Sequence, residues 1–185
     1  WYKYIVFFLV MTVAAWSAVS LDIQNMDIGA GTLDIYMTNI PGCSYCEDDT
    51  YAGSDQFTCE NFGFGGQGAD WIVDTDMNES DCEFLNGNWF NGEVAGFQFY
   101  LVGITIMDIS SGTAEQYMDF VSFNSESGKI VGTTFSGNTI PAGSAILTQI
   151  AFSDYNDSEI CAENPVFADS AADALYADSG DCACP

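Results

Sequence analysis

From residue 21 onward, apolar and polar positions alternate in short runs, the period-two signature of strands with one buried face. Leu21 and Ile23 share one face of the first run. In Thr32-Leu-Asp-Ile-Tyr-Met-Thr-Asn39, Leu33, Ile35 and Met37 point one way. In residues 94–102, Phe97, Phe99 and Leu101 oppose Gln98 and Tyr100. Further runs span 104–109, 117–123, 129–135 and 145–152. Between them lie turn-forming stretches: Gly29-Ala-Gly31, Ser110-Ser-Gly112, Asn124-Ser-Glu-Ser-Gly128 and Pro141-Ala-Gly143. No segment after residue 20 carries a helical period, apart from a single turn offered by 171–175, and no repeat of solenoid length is present. The pattern predicts an all-β fold, an antiparallel jelly-roll or immunoglobulin-like sandwich over residues 21–185.

Two regions break the rhythm. Residues 41–92 are rich in Gly, Asp and Asn and hold four of the seven cysteines, so they read as a disulfide-rich insertion held by its own bridges. Residues 1–20 are almost wholly apolar, with Tyr4, Ile5, Val6, Phe7, Phe8, Leu9, Val10, Met11, Val13 and Trp16 in close succession. Three readings compete there. One is a secretion signal, with Lys3 as the basic region and Ala18-Val19-Ser20 as the small-residue cleavage site. Another is a membrane span or pilin-like helix, although about 16 residues fall short of the ~20 a bilayer needs. The third is an assembly strand, favoured by the β-branched and aromatic content. Because the sequence opens on Trp1 rather than Met, the expectation taken forward is a segment retained for assembly.

Charge narrows the function classes. There are 27 Asp and Glu, two Lys (Lys3 and Lys129), no Arg and no His, for a net charge of −25. Nucleic acid is excluded as a partner, because no basic footprint exists to neutralise phosphates. Histidine-dependent hydrolysis and His-ligated metal chemistry are excluded, and no Arg can clamp a phosphate. Carboxylate pairs such as Glu47-Asp48-Asp49 and Asp74/Asp76 leave an acidic glycosidase as a third reading, but such pairs are expected by chance at this acidity, and the chain is not expected to be an enzyme.

Cysteine usage points to an oxidising compartment. A reactive Cys43-Ser-Tyr-Cys46 pair would want a cationic neighbour, but Glu47, Asp48 and Asp49 follow it. A zinc site would need a second matched pair, and Cys182-Ala-Cys184 has the wrong spacing. The expectation is structural disulfides in a secreted or cell-surface protein. A Cys161–Cys182 bridge would pin the last strand, while Cys43, Cys46, Cys59 and Cys82 pair within the insertion in an open connectivity. Cys184 is then the odd thiol.

Three further features carry chemistry. Asp74, Asp76, Asn78 and Asp81 place oxygen ligands as the start of a calcium loop does, although Glu79 stands where a turn glycine belongs and Leu85 where a bidentate Glu belongs. Asn78 and Asn156 head N-glycosylation sequons, and a glycan on Asn78 would compete with calcium. Trp71, Trp89 and Phe90 lie in the insertion, where they would stack on sugar rings or build a small core of the insertion's own; the core is the expectation.

Three segments, 32–39, 94–101 and 140–152, resemble successive strands of cohesin-like domains, in the family's order. The resemblance implies a jelly-roll-like sandwich on a secreted or cell-surface protein that binds a protein module or a carbohydrate, or serves as a spacer. The insertion and the apolar N-terminus depart from that pattern. The leading expectation is a structural subunit of a cell-surface filament that polymerises with copies of itself through residues 4–16. The alternative is a monomeric secreted module that binds a glycan or protein partner. A membrane enters only if the N-terminal segment spans one.

Overall fold

The computed structural model describes residues 18–155, 159–175 and 177–184. In chain order they form β1 (Val19–Asp27), β2 (Thr32–Asn39), β3 (Gly42–Cys46), α1 (Gln56–Gly66), β4 (Trp71–Asp74), α2 (Glu79–Phe84), β5 (Asn88–Phe90), β6 (Gly96–Val102), β7 (Thr105–Ser110), α3 (Gly112–Tyr117), β8 (Phe120–Asn124), β9 (Lys129–Thr133), β10 (Gly143–Ser153), β11 (Cys161–Ala168), β12 (Ala174–Leu175) and β13 (Ala177–Asp178). One five-stranded sheet has the order β13-β1-β2-β10-β7 and the other β12-β11-β6-β9-β8. A three-stranded sheet, β4-β3-β5, belongs to the insertion.

The two large sheets bury a common core. Leu21, Leu33, Ile35, Leu147 and Ile150 enter it from the first sheet, and Phe97, Phe99, Leu101, Ile130 and Phe167 from the second. The alternation along β2 and β6 therefore sets their inward faces as the sequence pattern predicts. Along β10 the phase shifts by one residue. A bulge between Ile146 and Thr148 leaves Leu147 extra against β2 and brings Ile150 and Phe152 inward with it. In β9, Gly132 faces Phe97 across the ladder, and a Cβ there would collide with the ring.

Several local expectations are corrected. The sandwich begins before residue 21: Val19 is fully buried at the start of β1, and the Ala18 carbonyl accepts from the Ile40 N–H at 3.0 Å. Among the described residues, three short α-helices form. α1 buries only Cys59 and Gly63, so a disulfide anchors it instead of an apolar stripe, which is why it leaves no helical period in the sequence. α3 takes 112–117, so the strand expected at 117–123 starts only at Phe120. The helical turn expected at 171–175 is a turn followed by β12. Among the described residues, one strand pair, β1 with β13, is parallel and the others are antiparallel. β11 was not expected at all. Its register shifts between Glu163 and Val166, where Asn164 adopts φ 50° and Pro165 supplies no N–H, and this interrupts the alternation.

Candidate functional site

The insertion is stiffened by two bridges, Cys43–Cys82 and Cys46–Cys59, both anchored on β3. Gly87 leaves the room the first needs, since a Cβ there would press on both sulfurs. Cys46, Cys59 and Ala69 form a small apolar cluster against which Tyr51 and Trp71 pack. The buried Asn39 side chain ties the insertion's two ends to the sandwich: its Nδ2 donates to the Gly92 carbonyl at 2.5 Å and to the Pro141 carbonyl at 3.0 Å.

Register across the small sheet decides which side chains face the sandwich. Ser44 lies opposite both Val73 and Asn88, Cys46 opposite Trp71, and Gly42 opposite Phe90, so these positions share one face. Phe90 on that face is buried in the main core, and Val73 packs against it. The face is therefore turned toward the sandwich, and it does not close on it completely. A cleft of about 720 Å³ remains. Trp71, Val73, Asn88 and Ser44 line it from the small sheet, and Ser54, Asp55 and Gln56 from the segment leading into α1. Ala18, Asp169, Asp173, Ala174 and Leu175 line it from the sandwich. Trp89, on the opposite face beside Cys43, also reaches the lining.

Polar groups in the lining are held in place. Asp55 caps α1, its Oδ1 accepting from the Thr58 N–H at 2.7 Å, and that backbone bond, helped by the Thr58 hydroxyl, holds its carboxyl below the usual range. Asp169 Oδ1 accepts from the N–H groups of Ala171 and Asp173 at 2.8 and 2.9 Å. The Ser44 hydroxyl donates to the Asn88 carbonyl at 3.4 Å. No lining residue is cationic. Lys129 lies elsewhere, its Nζ 5.9 Å from the centre of the Tyr100 ring.

The structure distributes the residues singled out in the sequence as follows. The six cysteines pair as expected in kind, with Cys161–Cys182 the third bridge. Cys184 is an exposed free thiol whose Sγ donates to Glu159 Oε1 at 3.6 Å; desolvation and that carboxylate raise its pKa. Asp74 Oδ1 accepts from the N–H groups of Asp76 and Met77, and Asn78 caps α2 by accepting from the Asp81 N–H. Asn78 Nδ2 donates to Asp81 Oδ2 at 2.7 Å. Local capping thus engages Asp74, Asn78 and Asp81, and Asp74, Asp76 and Asp81 form no three-carboxylate cluster. Among the described residues, the three acidic or sulfur side chains that do converge within 4.8 Å are Glu159, Cys161 and Cys182, and both sulfurs are spent in a disulfide. Asn78 is exposed. Asn156 and the assembly residues Tyr4 to Trp16 lie outside the described residues. Of the three aromatics expected to form the insertion's own core, Trp71 packs against that small core and also lines the cleft, Phe90 joins the sandwich core instead, and Trp89 lines the cleft.

No family model matches the sequence, and no curated protein matches it. Among solved structures, the chain is similar to a non-cellulosomal cohesin from the hyperthermophilic archaeon Archaeoglobus fulgidus, at 9% identity and a TM-score of 0.44, over 88% of this chain and 86% of that one. At that level the likeness says nothing about what either protein binds. Among the described residues, no helix is long and apolar enough to cross a membrane.

Proposed function

We propose that the chain is a secreted, non-enzymatic binding module, and that the cleft between the small sheet and the sandwich is its recognition site. The observation that carries this reading is the half-buried Trp71, held on a disulfide-anchored cluster and lining a cleft of about 720 Å³. A cleft of that size falls within the range of small-ligand sites, and Trp71 gives it an aromatic wall among mostly polar and small lining residues. Three disulfides suit an oxidising, extracellular setting. The test is to screen the oxidised protein and its Trp71→Ala variant on immobilised glycans and peptides. A ligand retained by the parent and lost by the variant is expected. Retention indifferent to the substitution overturns the cleft as the recognition site.

A second reading, a filament subunit, is favoured by one feature: the apolar run of residues 4–16 leads directly into β1, whose Val19 is already core. An apolar stretch of that length on a secreted protein needs a partner to cover it. Chains beginning at Trp1 and at Ala18 should then differ in assembly by electron microscopy. Filaments from the shorter chain overturn this reading.

A further inference from the structure

We propose that the Cys184 thiol is an exchange partner of the neighbouring cystine: it attacks Cys161 Sγ, so that Cys161 is bridged by either of two cysteines two residues apart. Register is the first observation. The Ile160 N–H donates to the Ala183 carbonyl at 3.0 Å, and the Ala183 N–H to the Ile160 carbonyl at 2.8 Å. These residues form a hydrogen-bonded antiparallel pair. The pairs that flank them, Cys161 with Cys182 and Glu159 with Cys184, therefore share one face and hold their side chains close. The Cα atoms of Cys161 and Cys182 lie 4.4 Å apart, as such a flanking pair requires.

Contact is the second. Cys184 Sγ donates to Glu159 Oε1 at 3.6 Å. An oxygen of the same carboxylate lies within 4.8 Å of both cystine sulfurs. Thiol and bridge thus border one side chain, and both Cys182 and Cys184 are exposed.

The third is freedom to slip. Among the described residues, the ladder pairing of 182–184 consists of the single bridge to Ile160. A slip of two residues keeps each side chain on its face and sets Cys184 opposite Cys161. The closed loop lengthens by two residues, a negligible change in closure entropy. A Cys182–Cys184 bridge has no such route. Residues two apart on a strand stand about 6.6 Å from each other, and a cystine needs Cβ atoms about 3.5–4.5 Å apart. Cys161 is therefore the sulfur that accepts attack.

The step balances within the chain. Cys184 loses its proton to solvent, and its thiolate forms a bond to Cys161 Sγ as the Cys161–Cys182 bond breaks. Cys182 leaves as a thiolate and takes up a proton. One cystine replaces another, so no oxidant or reductant enters. Desolvation and the Glu159 contact raise the Cys184 pKa, which keeps thiolate scarce near neutrality and the exchange slow there.

The experiment maps the free thiol. The oxidised chain is held for hours at pH 8 without added thiol or disulfide, and free thiols are blocked with N-ethylmaleimide. The cystines are then reduced and given a second label. Cleavage after Asp181 releases the peptide 182–185, whose fragmentation assigns each label. The two registers differ mainly by the Cys184–Glu159 hydrogen bond, so their populations should lie within about tenfold. At least about a tenth of the first label should fall on Cys182, at any protein concentration, and none on Cys161. The Cys182→Ser chain should form a Cys161–Cys184 bridge and melt within a few degrees of Cys184→Ser. A first label confined to Cys184 overturns the proposal. So does label on Cys161, or a Cys182 share that rises with protein concentration, which would place the exchange between molecules. A folded Cys182→Ser chain with both remaining thiols free overturns it as well.

Discussion

The Asn39 side chain donates to the carbonyl of Gly92, 53 residues further along the chain, and so closes the neck of the whole insertion. Its other Nδ2 hydrogen serves Pro141, in the segment leading to β10. Asn39 is only 2% exposed, so neither carbonyl would find ready water if the amide were removed. Asn39→Ala should therefore cost about 1–3 kcal/mol in urea unfolding. Asn39→Asp should cost more at neutral pH, because a carboxylate would face two carbonyl oxygens. An unchanged midpoint for Asn39→Ala would show that the neck is held by backbone pairing alone.

A chain starting at Leu21, the product of cleavage after Ser20, would lose Val19 from the core and the Ala18 carbonyl from its bond to Ile40. Burying a valine contributes about 1.5–3 kcal/mol. Chains starting at Ala18 and at Leu21 should thus differ in thermal midpoint by several degrees, the longer being the more stable. For the same reason, N-terminal sequencing of the natural protein should find a start at or before Ala18. A natural start at Leu21 with full stability would contradict the assignment of Val19 to the core.

Asp119 gathers the Thr134 and Ser136 hydroxyls and the N–H groups of Phe135 and Ser136 on one oxygen. Led by the Phe135 N–H, these bonds lower its pKa from 3.8 to about 2. A depressed carboxylate stabilises the fold above its unfolded pKa, and the effect is lost as pH falls from 3.8 through about 2. Amide exchange at Phe135 and Ser136, corrected for its intrinsic pH dependence, should therefore accelerate across that window and stay flat above it. In Asp119→Asn the same amides should exchange fast at pH 7 and show no acid transition.

Replacing Cys46 and Cys59 together by Ser should loosen the platform under Trp71 while leaving the sandwich folded. A bridge of this loop length contributes about 3 kcal/mol, with the gain confined here to the insertion. The expected readout is red-shifted tryptophan emission with the β-sheet circular dichroism retained. Loss of both signals together would mean that sandwich and insertion fold as one unit.

The large sheets were legible because their strands keep strict alternation: Leu33, Ile35 and Met37, or Phe97, Phe99 and Leu101, read directly as inward faces. What stayed hidden is what breaks that period. β11 carries Glu163, Asn164 and Pro165 through a bulge, and α1 leaves Phe57, Phe62 and Phe64 in solvent because its anchor is a covalent bond. The aromatics of the cleft were visible as residues, but their partition was not. Trp71 and Val73, two apart on one strand, already shared a face; that this face turns toward the sandwich depends on how Phe90 docks, a tertiary fact no local pattern encodes.

The Cys161–Cys182 bond has a mechanical consequence. If tension were applied between residues 18 and 184, it would pass from Cys182 straight to Cys161, bypassing β12 and β13. The load would enter one sheet through β1 and the other through the first residue of β11, so it would act across the core rather than unzip the C-terminal strands one by one. Reducing the bond would remove this shunt and release about 45 Å of additional contour length from residues 169–181 before β11 itself is pulled from its sheet. The redox state of one cystine would thereby set how far the domain extends before its core gives way.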